Sequence, residues 1–303
     1  MTPTAFAAPR SILERRSFDW ICAGRSLSLG DVTRVMGILN VTPDSFADGG
    51  RHNVLEAAVA HGQRLVEEGA DIVDVGGEST RPGAQALGEA EELARVIPVI
   101  EALAKTVDVP ISIDTYKASV AEAALRAGAS IVNDISGFRF DARMPEAVAR
   151  YGAGVVVMHS RGAPGALHGL SPTLDILADV EASFRRSLVV AQAAGINPDC
   201  IVFDPGLGFG KTLEDNLALL GLLPRLATLG RPLLVGPSRK SFIGAVTGKP
   251  SPADRLLGTA ASVTLAVAGG AHLVRVHDVA AMRECAAVAD AVRRAAFAVD
   301  GAG

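Results

Sequence analysis

The feature that most limits what this chain can become is an alternation repeated eight times. Short β-branched or apolar runs occur at Arg34–Asn40, Asp71–Gly76, Pro110–Asp114, Ser130–Asp134, Gly154–His159, Cys200–Asp204, Pro232–Gly236 and His272–His277. Between them lie Ala-, Leu- and Glu-rich stretches, among them Leu55–Glu68, Glu89–Lys105, Ser119–Ala127, Leu174–Ala194 and Glu214–Leu229. Apolar residues recur in these at helical spacing, as Leu55, Val59, Leu65 and Val66 in the first and Leu217, Leu220 and Leu223 in the fifth. Strand and helix in alternation predict parallel strands joined by crossover helices. Runs that are apolar almost throughout predict strands covered on both faces. Eight such units close into an α/β (β/α)8 TIM barrel, with a doubly wound open sheet as the competing arrangement.

The 303 residues, 49% hydrophobic and 20% charged, suffice for one barrel of this kind. The expected organisation is a mobile segment over 1–16, one barrel over 17–298 and a tail over 299–303. Ahead of the first barrel strand, Phe18–Cys22, the turn Ala23-Gly24-Arg25 and Ser26–Leu29 predict a small hairpin that could plug the N-terminal end with Trp20. A net charge of −4 argues against a general nucleic-acid binder. Cys22, Cys200 and Cys285 form no CxxC pair, so neither a disulfide scaffold nor a structural zinc site is expected. With no apolar block of a secretion signal near the start, the expected compartment is the cytoplasm. Residues 256–274 lack Asp, Glu, Lys and Arg, but Thr259, Ser262, Thr264, Gly269, Gly270 and His272 dilute the run. A buried or subunit-facing helix fits it better than a membrane span.

Polar residues gather at the strand ends. The runs finish in Asn40, in Gly76-Gly77-Glu78-Ser79-Thr80-Arg81, in Asp114, in Asn133-Asp134, in His159, in Asp204, at Ser238-Arg239-Lys240-Ser241, and in Arg275, His277 and Asp278. In a barrel these meet at the C-terminal rim, where active sites of this fold sit. Any one Asp or Asn there is as well explained as a helix cap; all eight ends together are not. Asp114, Asn133, Asp204 and Lys240 suit the edge of a nitrogen heterocycle. Arg275 and His277 suit phosphate oxygens, and Asn40 offers a neutral oxygen to Mg²⁺.

The loop Gly206-Leu-Gly-Phe-Gly-Lys211-Thr212 is not a Walker motif, because Pro205 stands where glycine is required, and Lys211 breaks the dinucleotide pattern. It reads as a tight strand-to-helix turn with Phe209 lining a pocket. His159 reads as a buried strand end, His272 as packing, and His52, His61 and His168 as structural or solvent-facing. Asp74 and Glu78 are expected to order the second loop, and Cys200 to be a small buried hydrophobe.

Seven stretches in series carry a resemblance: Met36–Gly50 (MGILNVTPDSFADGG), Val73–Gly83 (VDVGGESTRPG), Ile111–Lys117 (ISIDTYK), Ile131–Gly137 (IVNDISG), Ile201–Lys211 (IVFDPGLGFGK), Leu234–Ser241 (LVGPSRKS) and Val274–Asp278 (VRVHD). Together the chain resembles the dihydropteroate synthase family of folate biosynthesis, from the hairpin to the last strand. The resemblance implies a transferase. It would condense 6-hydroxymethyl-7,8-dihydropterin diphosphate with 4-aminobenzoate to 7,8-dihydropteroate and diphosphate, with Mg²⁺ as cofactor. It implies pterin binding by Asp114, Asn133, Asp204 and Lys240. Diphosphate would go to Asn40, Thr80, Arg275 and His277, with Asn40 also on the metal. Phe46, Thr80, Arg81, Pro82, Phe209 and Ser241 would form the aminobenzoate pocket. Lys240, Asp114, Asp204, Arg275 and His277 would carry the catalysis.

The implied chemistry is a dissociative substitution through a carbocation-like pterin methylene, with the leaving charge stabilised electrostatically. The resemblance also implies a homodimer and ordinary sulfonamide sensitivity. Ala47 stands where the family often has Ser, and Pro237 occupies a variable slot; neither removes a proposed ligand. A corrinoid-type pterin-binding methyltransferase domain and a non-catalytic paralogue share the barrel. The intact Ser238–Ser241 and STRPG stretches weigh against both.

Overall fold

A computed structural model describes residues 15–42, 51–78, 87–162 and 173–300. Among the described residues, eight parallel strands form one sheet. They are β3 (Arg34–Asn40), β4 (Ile72–Gly76), β5 (Ile111–Asp114), β6 (Ile131–Asp134), β7 (Gly154–Met158), β8 (Ile201–Asp204), β9 (Leu234–Val235) and β10 (Leu273–Val276). In space the order runs β8-β7-β6-β5-β4-β3-β10-β9. A parallel bridge between Phe203 and Leu233 brings β8 back to the start of β9 and closes the ring. The barrel expected from the alternation is therefore present. The Pro232–Gly236 run shortens to Leu234–Val235.

Helices cover the outside: α1 (Arg51–Glu67), α2 (Glu89–Leu103), α3 (Ala118–Ala127), α4 (Met144–Tyr151), α5 (Ile176–Ala193), α6 (Leu213–Gly221), α7 (Leu223–Ala227), α8 (Ser241–Thr247), α9 (Leu256–Ala268) and α10 (Val279–Asp300). The helix expected over Glu214–Leu229 is broken at Leu222, and Pro224 falls in the first turn of α7. Proline lacks the N–H that an uninterrupted helix would use and fits a first turn well. No described helix is long and apolar enough to cross a membrane; α9 stops at Ala268 before Gly269.

The strands alternate strictly in what they face. Val35, Val73, Ile113, Val132, Val155, Phe203, Val235 and Val274 pack in the large cluster shared with the helices. Met36, Ile72, Ile131, Val156, Val202, Leu234 and Leu273 form a second cluster inside the ring, with Trp20, Cys22 and Leu29. Those last three come from a hairpin, β1 (Phe18–Cys22) paired antiparallel with β2 (Arg25–Leu29). Trp20 is wholly buried and donates its Nε1–H to the carbonyl of Cys200 at 2.8 Å. Gly154 is what admits it: a Cβ there would lie 2.6 Å from Cys22 Sγ and 3.1 Å from the indole. So the hairpin plugs the N-terminal end, as Trp20 suggested.

One boundary is corrected. Arg15 falls in the segment expected to be mobile, yet it is buried. It reaches Asp290 at 2.9 Å and the Ala271 carbonyl at 2.5 Å. A guanidinium paired and hydrogen-bonded in this way ties the chain to α10. Residues 1–14 and 301–303 lie outside the described set.

Candidate active site

Inward positions change character along the barrel. The N-terminal layer is apolar; the next inward residues are Asp74, Ser112, Asn133, Met158, Asp204, Gly236 and Arg275, and above them come Asn40, Gly76, Asp114 and His277. Register places the rim directly, since Asn40 pairs with Gly76, Gly76 with Asp114, and Asp114 with Asn133. One cavity is lined by Asn133, Asp204, Phe209, Lys240 and Arg275, together with Ile135, Met158 and Leu207. Asp204 and Lys240 thus share an end of the barrel with Arg275 and Asn40.

Arg275 is the hub. Its Nε donates to Asp74 Oδ2 at 2.6 Å and its NH2 to Asp114 Oδ2 at 2.6 Å. No described residue engages its NH1. Asn133 donates Nδ2–H to the same Asp74 oxygen at 3.1 Å, and its Oδ1 is buried without a partner among the described residues. Burial pushes the Asp114 carboxyl up to about 7, against the pull of Arg275 and with help from Asp74 and Glu92. Burial likewise raises Asp204 to about 6, although the Gly206 N–H at 2.7 Å and Lys240 favour its charge.

Lys240 stands with its ammonium 4.0 Å from the centre of the Phe209 ring. Burial and the nearby Arg275 lower it to about 8. The loop after β8 is shaped by Gly206, which has φ +67; a Cβ there would lie 2.0 Å from the His159 carbonyl oxygen. Lys211 clamps that loop, donating to the carbonyls of His159, Gly206 and Phe209 at 3.1, 2.8 and 3.1 Å.

His277 is lowered to about 3 by burial and by Arg275, so it is neutral near pH 7. Ser238 Oγ accepts the His277 backbone N–H at 3.2 Å and lies 3.0 Å from Nδ1. His277 is therefore neutral rather than the cation a phosphate ligand would first suggest. Ser241 heads α8 and is exposed. Phe46, Thr80, Arg81 and Pro82 lie outside the described residues.

Several site-building residues escaped the sequence reading. Arg239 adopts φ +57, rare for a non-glycine residue. Its side chain grips Asp278 through two bonds of 3.0 and 2.5 Å, while Arg255 donates to its carbonyl at 2.8 Å. This brace presents Lys240. Asp74 faces the barrel interior, where its partners among the described residues are Arg275 and Asn133; most of the second loop that it was expected to order lies outside the described residues. Glu78 does stand at that loop's base, accepting from Tyr116 Oη at 3.0 Å and from Lys117 Nζ at 2.5 Å.

Asp134 turns outward. Its carboxylate takes the backbone N–H of Ser136 and Phe138 at 2.8 and 2.7 Å, so it builds a loop. His272 is structural, with Nδ1 accepting from Leu233 N at 3.1 Å and Nε2 facing the Arg16 carbonyl at 2.8 Å. His159 is buried and Cys200 is buried, as expected; His159 Nδ1 has no partner among the described residues.

The comparisons agree with this geometry. A family model described as pterin binding enzyme matches residues 36–277. The dihydropteroate synthase of Synechocystis is 48% identical over 277 residues, covering 91% of this chain and 93% of that protein. Among solved structures, Xanthomonas albilineans dihydropteroate synthase with 4-aminobenzoic acid superposes with a TM-score of 0.85 at 49% identity, covering 92% of this chain and 99% of that one. The same enzyme in complex with 7,8-dihydropteroate gives 0.81 at 46% identity, with coverage of 92% and 99%.

Proposed function

The chain belongs to the pterin-binding enzyme family, among the dihydropteroate synthases, and from that membership we propose how its residues divide the work. The reaction is the condensation of 6-hydroxymethyl-7,8-dihydropterin diphosphate with 4-aminobenzoate. The bond from the pterin methylene to the diphosphate oxygen breaks, the bond to the aniline nitrogen forms, and that nitrogen gives up a proton. The observation that carries the division of roles is a cavity lined together by Asn133, Asp204, Lys240 and Arg275.

Asp204 and Asp114 accept N–H bonds from the heterocycle and favour positive charge on it as the methylene becomes electron-poor. Asn133 offers its Oδ1, and Lys240 donates over the ring edge. Arg275 NH1 and His277 face the diphosphate as it leaves. Asn40, a neutral oxygen donor at the rim, fits an ion that takes few protein ligands, and it would hold Mg²⁺ together with the diphosphate. Bound there, Mg²⁺ would supply charge neutralisation on the leaving group. Ser241 and Phe209 belong to the aminobenzoate side, with Phe46, Thr80, Arg81 and Pro82 assigned by motif. The aniline attacks a centre already activated, so no strong general base is required.

The test is diphosphate release in the presence of both substrates. Release should require 4-aminobenzoate, and a sulfonamide should compete with it. The value of kcat/KM for the pterin diphosphate should fall on both sides of neutrality. Asp204 and Asp114 lose their acceptor charge as pH drops through about 6 to 7, and Lys240 loses its proton above about 8. Release without the aniline, or a profile flat across both ranges, would reject these assignments.

We also place the protein in the cytoplasm, supported by its three free cysteines. A second copy of the chain is proposed to cover the outer face of the packed pair α9 and α10. There Leu257 is 82% exposed, Leu265 57%, Val288 66% and Val292 61%, an apolar patch of the kind that marks an interface. Sedimentation should report a dimer, and Leu257→Glu with Val288→Glu should shift it to monomer.

A further inference from the structure

Asp74 is a fully buried carboxylate to which the mechanism above gives no task. It lies inward on β4, one layer beneath the rim, in register with Ile38 and Ser112. A buried charge is retained only where partners compensate its lost hydration. Asp74 has two, and both are site residues: Arg275 Nε at 2.6 Å and Asn133 Nδ2 at 3.1 Å, on the same oxygen. Its other oxygen has no partner among the described residues.

We propose that Asp74 is a positioning residue that sets the polarity of the heterocycle pocket and the plane of the diphosphate-binding guanidinium. The inference rests on the synthase reading above and deepens it. An asparagine amide can present either end to a ligand. A carboxylate can accept only from the NH2 end, so Asp74 holds that end and Asn133 Oδ1 is left facing the cavity as an acceptor. The ring atom opposite must therefore carry an N–H; a ring with a bare nitrogen there would leave two acceptors in contact. Arg275 is fixed in the same way. With Nε on Asp74 and NH2 on Asp114, the guanidinium plane is set at two points and NH1 is turned to the remaining direction.

The arrangement places two carboxylates on one guanidinium. The charged groups acting on Asp114 are Arg275 and Lys240, which lower its affinity for a proton, and Asp74 and Glu92, which raise it. Neutralising Asp74 therefore lowers the pH at which Asp114 takes up its proton. A side chain that merely filled space would not move that titration.

The variant Asp74→Asn keeps the shape and removes the charge. Its KM for the pterin diphosphate should rise about 10- to 100-fold, the range for losing a hydrogen bond to a charged group. Its KM for 4-aminobenzoate should stay within about twofold, since the proposed aminobenzoate contacts lie elsewhere. The acid limb of kcat/KM for the pterin substrate should move to lower pH. Wild-type KM with an unmoved limb, or both KM values rising together, would overturn the proposal. A wild-type protein that releases no diphosphate would instead fault the synthase reading.

Should Asp74→Asn not accumulate folded, the wild-type protein gives a second measurement. The Arg275 Nε–H nuclear magnetic resonance signal, assigned by its loss in Arg275→Lys, should exchange slowly with water because it is held on Asp74. Exchange at the rate of an open side chain would overturn the proposal equally.

Discussion

Lys240→Ala should lower kcat/KM for the pterin diphosphate by about 10²- to 10³-fold, and Arg275→Ala by at least as much, as removal of a single preorganised donor does elsewhere. The two losses should differ in kind. Lys240 is one of the charges that favour ionised Asp204, whose carboxyl already sits near 6. Without Lys240 that carboxyl binds its proton more tightly, so the acid limb of the profile should move up in pH and part of the lost activity should return in alkali. Arg275 instead compensates two carboxylates at once. Its removal takes from Asp74 and Asp114 the guanidinium both are paired with, leaving only the longer-range pull of Lys240 on Asp114, and breaking a buried pair in this way costs about 3–5 kcal/mol. Arg275→Ala should therefore lose stability as well as turnover, whereas Lys240→Ala should melt near the wild type. Steady-state kinetics and thermal unfolding on the same preparations check both. Turnover near wild type in both variants would show that the roles are misassigned.

That contrast follows from contacts the chain hides in different degrees. The period-two pattern within the strands and the polar residues at or near their C-terminal ends are local, so Asp114, Asn133, Asp204, Arg275 and the rim they share could be read before any coordinates. The partners that hold them are separated by long stretches of chain. Asp74 and Arg275 are 201 residues apart, and Arg239 and Asp278 are 39 apart. Sequence spacing carries no trace of such pairings. Asp74 reads in sequence as a loop-ordering residue beside Glu78, and only the inward register of β4 brings it to Arg275 and Asn133. The positive φ at Arg239 is equally silent, since an arginine in sequence carries no signal for a left-handed backbone. His277 shows a third kind of gap: the residue type suggests a cation, whereas burial beside Arg275 makes it neutral.

The floor of the barrel allows stability to be changed apart from chemistry. Trp20→Ala should destabilise the fold by about 3–5 kcal/mol, the range for removing a buried aromatic side chain and leaving a cavity. The indole is 0% exposed, packs against the inward N-terminal residues of the barrel strands and satisfies the Cys200 carbonyl. Ala would therefore leave both a void and an unpaired acceptor. Collapse of the surrounding side chains into that void is restricted because they come from different strands of a closed ring, each fixed by pairing on both sides. The apolar layer of Met36, Ile72, Ile131, Val156, Val202, Leu234 and Leu273 lies between Trp20 and the polar layer of Asp74, Asn133, Asp204 and Arg275. The KM values of the folded fraction should then stay near wild type while the denaturation midpoint drops. Gly154→Ala should act in the same direction from the other side, because its Cβ would sit 2.6 Å from Cys22 Sγ and drive the hairpin off its seat. Chemical denaturation alongside kinetics at low temperature separates the two effects. A Trp20→Ala protein as stable as the wild type would mean the hairpin is an ornament on a barrel that closes without it. One that is stable but has altered KM values would mean that the floor and the rim are coupled through the apolar layer.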